Sequence, residues 1–360
     1  MNIVKSTHKY ENWLRGHTSI VEPDLRLKHL RMKESIFMFL RATFYRWVQV
    51  WPNVCCDFVR APKVLAVGDL HVENFGTWRD AEGRLIWGIN DFDEAYEMPY
   101  ANDLVRLAVS VALAIEEKHL GISRKSACEA IMEGYNQSLE AGGQPYVLEE
   151  QNQWLRRIAL GELRDPVHFW KKMDSLRPVK GSIPLSAADA LQHLLPEKCM
   201  TCKVVRRIAG LGSLGHQRLV ALTQWRGGRI AREAKALVPS SCCWAAEGDG
   251  APEIMYETII SRAVRCPDPF VQLRGKWIIR RLSPHCCRLE LDAMPADRDE
   301  LKLLQAMGWE TANIHLGMPN AAREIRRHLR KQSPGWLHTA AKEMAQAVEI
   351  DWRTWNRFCA

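Results

Sequence analysis

The stretch "GDLHVENFG", residues 68–76, places Asp69, His71, Glu73 and Asn74 directly after the apolar run "VLAV" and before "TWRDAEGRLIWGINDFDEA". "NFGTW", the turn "RDAEGR" and "LIWGIN" predict a β-hairpin, because two apolar runs flank a short polar loop holding Gly83. Asn74 enters its first strand and Asp91 leaves its second, so antiparallel pairing brings them within about 5 Å. An amide oxygen and a carboxylate at that separation suit Mg²⁺, which takes oxygen ligands and few of them from protein. Asp69 lies five residues before Asn74 on a loop after the strand "KVLAV", where its carboxylate can face the same ion and accept a hydroxyl proton. The structural alternative is a polar turn with capping side chains.

Asp-x-x-x-x-Asn followed by Asp-Phe-x is the spacing that kinases use for a base and two metal ligands. "GDLHVEN", "INDFDEA" and "PYANDLVRLA" resemble the aminoglycoside phosphotransferase and choline kinase branch of the protein-kinase-like fold. The resemblance implies that Asp69 is the catalytic base, Asn74 and Asp91 are magnesium ligands, and Asp103 is a buried brace. It gives His71 a supporting hydrogen bond. Asp93 and Glu94 have no counterpart there and are open to a second ion, the acceptor or solvent. Val67 stands where that branch has its first histidine, so one supporting hydrogen bond is lost.

"AGLGSLG" supplies Gly210, Gly212 and Gly215 around Ser213, a match to G-x-G-x-x-G. A dinucleotide fold would follow it with a helix, whereas "LVALTQW" reads as a strand, and strand, glycine loop, strand is the phosphate cover of kinases. The cation expected next is Lys235 or Arg232 of "RIAREAKAL". Strand alternation sets these on opposite faces, so only one can serve. Glu257, or Glu253, on the helix predicted from "PEIMYETIISRAV" is the candidate partner.

The glycine loop follows Asp91 by more than a hundred residues, the reverse of the kinase order. A circular permutation accounts for this, and "LKLLQAMGWETANIHLG" resembles the helix that leads toward the catalytic loop in that branch. The inverted order, with "SIFMFLRATFYRW", "GDLHVENFG", "NDFDEA", "GLGSLG" and "REAKAL", is similar to the bacterial domain of unknown function family 2252 over roughly residues 25 to 320. That family has Lys-Glu-Ala where this chain has Arg232-Glu233-Ala234.

Positioning these groups calls for two lobes, an expectation consistent with 360 residues. The predicted fold class is α+β: a two-lobed, circularly permuted kinase-like fold. Residues 1–198 form a helical catalytic lobe, 199–294 a β-rich nucleotide-covering lobe, and 295–360 helices that return to the first. Apolar spacing over 24–52 predicts one helical segment closed by Pro52, and residues 123–198 read as mostly helical.

With 47% hydrophobic and 26% charged residues, the composition is that of an ordinary globular chain. No apolar run reaches a membrane span, since "DLVRLAVSVALAIEEK" carries Arg106, and the first residues lack a secretory segment; the expectation is a cytoplasmic bacterial protein. Eleven cysteines, an odd number, argue for reduced thiols. Cys199 and Cys202 have a zinc-like spacing, with Cys242 and Cys243 or Cys286 and Cys287 as completing pairs, but the pattern stays incomplete. The net charge of +8 favours anionic ligands. Basic residues at 321–332 fit a solvated helix face better than a nucleic-acid patch, because no aromatic interleaving accompanies them.

The expected function is transfer of the γ-phosphoryl group of Mg²⁺-bound ATP, held between the lobes, to a hydroxyl acceptor met by helices in 140–198 and 320–360. A nucleotide-binding scaffold without turnover is the alternative. An aspartate-based phosphohydrolase is a weaker one, because it leaves Asn74 and the glycine loop unexplained.

Overall fold

Helical spacing continues unbroken from Leu25 to Trp51, yet the backbone does not. In the computed structural model, which describes residues 1–149, 151–159, 165–246, 253–286, 288 and 299–358, this segment is three helices. After α1 (Ile3–His17) come α2 (Glu22–Glu34), α3 (Ile36–Ala42) and α4 (Phe44–Val54). Ser35 is extended and its side chain accepts from Met38 N at 3.2 Å, capping α3. Thr43 leaves helical geometry while its hydroxyl donates to Phe39 O at 2.7 Å. Small polar residues thus redirect the chain twice, and Pro52 sits inside α4 rather than after it.

Next follow β1 (Lys63–Ala66), β2 (Phe75–Arg79), β3 (Leu85–Ile89), β4 (Tyr96–Pro99), α5 (Tyr100–Glu116), α6 (Arg124–Ala141), β5 (Tyr146–Val147) and α7 (Gln153–Ala159). β1 pairs with β4, and β2 and β3 form the hairpin read from the sequence, with Phe75 opposite Ile89 and β5 added at its edge.

The second half of the chain builds a six-stranded antiparallel sheet from α8 (Pro166–Asp174), β6 (Arg177–Pro178), α9 (Leu185–His193), β7 (Lys203–Arg206), β8 (Arg218–Trp225), β9 (Gly228–Ala236), α10 (Ser241–Ala245), α11 (Tyr256–Arg262), β10 (Gln272–Arg274) and β11 (Trp277–Leu282). Its order is β10-β11-β9-β8-β7-β6. Alternation gives it two apolar faces. Ala234, Ala236 and Trp277 pack under Ala187 and Leu191 of α9, while Val220, Ala231 and Leu282 meet Met173 of α8. Three elements expected in the first lobe, α8, β6 and α9, therefore belong to this layer. The change in sequence character near residue 203 marks the long strands, not the limit of the packing unit.

α12 (Glu300–His315), α13 (Ala321–Leu329) and α14 (Trp336–Phe358) return to the helical part, where they share the main core with α1 to α6. α13 buries Ala321 and Ile325 and turns Arg323 and Arg327 outward. Among the described residues, no helix is long and apolar enough to cross a membrane. The architecture is α+β with antiparallel sheets.

Candidate active site

The turn after β1 is held from below. Asp103, fully buried in the first turn of α5, accepts from Val67 N at 2.7 Å and Gly68 N at 2.9 Å. Two amides that end a strand would otherwise be buried without acceptors. His315 of α12 places Nε2 3.0 Å from the same carboxylate, and the Tyr135 hydroxyl lies 2.8 Å from its Nδ1. Gly68 has φ of +83°, and a Cβ there would collide with the Glu94 carbonyl, so only glycine fits this turn.

Asp69 then projects over α5. Its Oδ1 accepts from Arg106 Nε at 2.9 Å and also from Nη2. Arg106 has no exposed surface, and its guanidinium lies over the Phe44 and Trp47 rings at 4.9 and 4.8 Å. Burial pushes the Asp69 carboxyl above its ordinary value, against the opposing pull of Arg106. Asn74 is 3% exposed, and its Nδ2 donates to Asp69 O at 2.6 Å, which leaves Oδ1 as its acceptor. His71 caps the short turn at Val72–Asn74 by accepting from Glu73 N at 3.2 Å, and burial followed by Arg41 holds its imidazole well below the usual value.

Across the hairpin, Asn90 N donates to Asn74 O at 3.0 Å, and Asp91 follows directly. Lys235 Nζ lies 3.4 Å from Asp91 Oδ1 and pairs with Asp93 Oδ2, while Arg288 Nη2 donates to Asp91 Oδ2 at 2.7 Å. Burial alone would raise Asp91; Lys235, Arg288 and Arg280 outweigh it and hold the carboxyl far below the normal range. Asp93, buried beside Asp91, is pushed up to about 6 despite Lys235. Glu94 is not exposed: Ser240 Oγ at 2.9 Å, Ser241 N at 2.7 Å and Ser241 Oγ at 3.0 Å donate to its Oε2, and burial pushes it up to about 7 against those donors.

The glycine loop arches between β7 and β8, which pair with each other. Gly210 and Gly215 have φ of +75° and +102°. Lys28 Nζ donates to Gly212 O at 2.8 Å and Val21 N to Gly215 O at 2.7 Å, which fixes the loop to α2. A Cβ at Gly212 would stand 3.4 Å from Asp69 Oδ2 and 3.2 Å from Arg41 O. Ser213 Oγ accepts from Arg218 Nη2 at 3.0 Å. Asp69, Asn74, Asp91, Asp93, Gly212 and Ser213 line one cavity of about 50 Å³. It shares Gly210, Arg41 and Arg288 with a wider cleft of about 720 Å³.

The two candidate cations separate. Lys235, 2% exposed, faces the aspartates. Arg232 does not reach the site: it points to the other face, where Nε donates to Leu194 O at 3.0 Å and the guanidinium stacks on Phe270 at 4.8 Å. Glu257 lines the wide cleft and accepts from Leu273 N at 3.4 Å; Lys235 pairs with Asp91 and Asp93 instead, and neither Glu257 nor Glu253 takes it. Among the described residues, no group of three or more His, Cys, Asp or Glu is placed to hold a metal ion, which leaves Cys199 and Cys202 without a zinc set. Cys287 lies outside the described residues.

Sequence reasoning missed Arg106 as a site residue, although a lone charge inside the apolar run "DLVRLAVSVALA" signals a buried partner. It also missed Lys28, Arg288 and the role of Glu233, whose alternation with Lys235 in "REAKA" puts both on one face.

No curated protein and no solved structure matches the chain. Residues 21–171, which hold Asp69, Asn74, Asp91, Asp93 and Asp103 but not the glycine loop or Lys235, match the model of one family, described as "Uncharacterized protein conserved in bacteria (DUF2252)".

Proposed function

We propose that the protein is a phosphotransferase that moves the γ-phosphoryl group of Mg²⁺-bound ATP to a hydroxyl acceptor. The observation that carries this reading is the approach of Gly212 to Asp69 in the cavity that Asp91 also lines, with Lys235 paired to Asp91 behind it. Strand, glycine loop, strand and then a lysine on the adjoining strand supports a phosphate cover of the kinase kind, and its position after Asp91 supports a circular permutation. One feature departs from that pattern: the lysine is paired with the aspartates rather than with a helix glutamate.

Magnesium fits the donors. Among the described residues Asp93 Oδ1 is buried without a hydrogen-bond partner, Asn74 uses its Nδ2 on Asp69 O and keeps Oδ1 as an acceptor, and Asp91 is held ionised. Asn74 and Asp91, with Asp93 beside them, would hold the ion, which supplies neutralisation of phosphoryl charge. Asp69 takes the acceptor's hydroxyl proton as the new oxygen–phosphorus bond forms and the bond to the β-phosphate oxygen breaks, releasing ADP. Arg106 keeps Oδ1 and so leaves Oδ2 for that proton. Lys235 and Arg288 offer positive charge to the transferring group as they exchange partners.

The cavity of about 50 Å³ is too small for a triphosphate by itself, so the nucleotide would extend into the wider cleft that shares Gly210, Arg41 and Arg288 with it. That narrowness favours a second reading, a nucleotide-responsive scaffold without turnover. Thermal shift with magnesium and adenylyl imidodiphosphate tests both. Wild type and Asp69→Asn should be stabilised and Asp91→Ala should not, and with ATP only wild type should release ADP to an acceptor. Equal stabilisation of Asp91→Ala removes the metal assignment; stabilisation without turnover on any phosphoryl acceptor selects the scaffold.

A further inference from the structure

The wide cleft carries more positive charge than a magnesium-bound nucleotide needs. Among the described residues, nine arginines and lysines line it against three carboxylates. Its sheet wall explains part of the excess. Glu233 has no exposed surface and accepts from Arg207 Nη1 at 2.5 Å, Arg218 Nη1 at 3.0 Å and Arg280 Nε at 2.7 Å. One carboxylate offsets one of three guanidiniums, so the cluster retains positive charge on the face that also bears Lys235. Residues two apart on a strand share a face about 7 Å apart, which sets Glu233 and its arginines next to the proposed phosphate lysine.

Another wall adds Arg265. Its guanidinium lies over the Trp78 and Phe92 rings at 4.5 and 5.0 Å, and among the described residues its buried Nη1 has no hydrogen-bond partner. A buried N–H left without an acceptor is costly, and an arriving oxyanion removes that cost. Arg31 and Lys172 stand exposed at the rim, with no carboxylate partner among the described residues. Fixed guanidiniums are suited to phosphoryl oxygens, which they bind through paired N–H groups.

We propose that the cleft contains a second anion site, formed by Arg207, Arg280 and Arg265, for a small molecule that already bears a phosphoryl group. The assignment of that molecule as the acceptor rests on the phosphotransferase reading; the anion site does not. The enzyme would then add a phosphoryl group to a hydroxyl of a phosphorylated compound, giving a product with at least two phosphoryl groups. A reaction that forms a phosphomonoester would have to supply its substrate.

The test is calorimetric titration of inorganic pyrophosphate, at fixed ionic strength and in excess magnesium, into protein saturated with adenylyl imidodiphosphate. Pyrophosphate should bind the saturated protein at one further site. Arg265→Gln should weaken that binding about tenfold or more. The exposed pair Arg31→Gln and Lys172→Gln, which leaves the core untouched, should weaken it by a few-fold, as rim charges do. Pyrophosphate that only displaces the nucleotide analogue, or binds it and every variant alike, overturns the second site while the phosphotransferase reading stands. Protein that ignores the analogue but binds pyrophosphate through Arg265 overturns that reading and keeps the anion site.

Discussion

Arg106 and Asp69 form the pair on which the site's chemistry turns. The guanidinium is buried over two rings, donates to Leu40 O at 2.9 Å and gives Nε and Nη2 to one carboxylate oxygen. Arg106→Met keeps much of the packing volume but strands Asp69 in a buried setting. Removing one partner of a buried pair costs about 3–5 kcal/mol, whereas removing both costs less. Urea unfolding should therefore show Arg106→Met destabilised by about 3 kcal/mol and the double variant with Asp69→Asn recovering a good part of it. A double variant that unfolds as readily as Arg106→Met would show that packing, not pairing, sets the cost.

At the scale of elements, α12 is drawn close enough to α6 for backbones to touch. A Cβ at Gly134 would overlap the Gln305 carbonyl, and one at Gly308 the Ile131 carbonyl. The closeness matters because α12 carries His315 to Asp103 and Glu310 to Ile89 N at 3.3 Å. Gly308→Ala should cost about 3 kcal/mol or more, as overpacking does, and should weaken the brace under Asp69. Gly16→Ala in α1, with nothing near the added methyl, should instead stabilise by up to about 1 kcal/mol. Thermal unfolding of the two alanine variants separates intrinsic helix preference from helix contact; equal shifts would remove the contact argument.

Which elements were legible follows from the range of the forces that shape them. The hairpin from Phe75 to Ile89 and the strands from Lys203 to Ala236 were read correctly, because alternation and turn glycines are local signals. The single segment predicted over 24–52 failed at Ser35, which caps the next helix, and at Thr43, whose hydroxyl bonds back to Phe39 O, although the apolar spacing continues across both. The assignment of α8 and α9 failed for a different reason. A helix records which of its faces is apolar but not which sheet will cover it. In the site, Lys235 and Arg232 were separable only as belonging to opposite faces; burial of Arg232 against Leu194 decides which face meets the aspartates. The pairing of Lys235 with Asp91, 144 positions away in the chain, had no local signature.

For the whole molecule, stability couples to pH through carboxyls that the fold buries at junctions. Glu310 is 1% exposed and sits where α12 meets β3, beside Gly88 and Ile89, with Asn313 Nδ2 donating to its Oε2 at 2.8 Å. Burial pushes its carboxyl up to about 7, although Arg265, Asn313 and the Ile89 amide pull it back. The folded protein therefore binds this proton more tightly than the unfolded chain does. Its contribution is fully present below the ordinary glutamate value near 4.5, and it is lost as pH rises through about 7. A shift of that size corresponds to roughly 3 kcal/mol between the two limits. Glu310→Gln keeps the shape and an acceptor but cannot ionise, so its stability relative to wild type should rise steadily from pH 5 to pH 7 and level off above pH 8. The comparison isolates one group, since every other ionisable side chain is common to both proteins. Denaturant midpoints at pH 5, 6, 7 and 8 read the difference directly. A constant offset across that range would mean that Glu310 is ionised throughout, stabilised by Arg265 more strongly than burial opposes it.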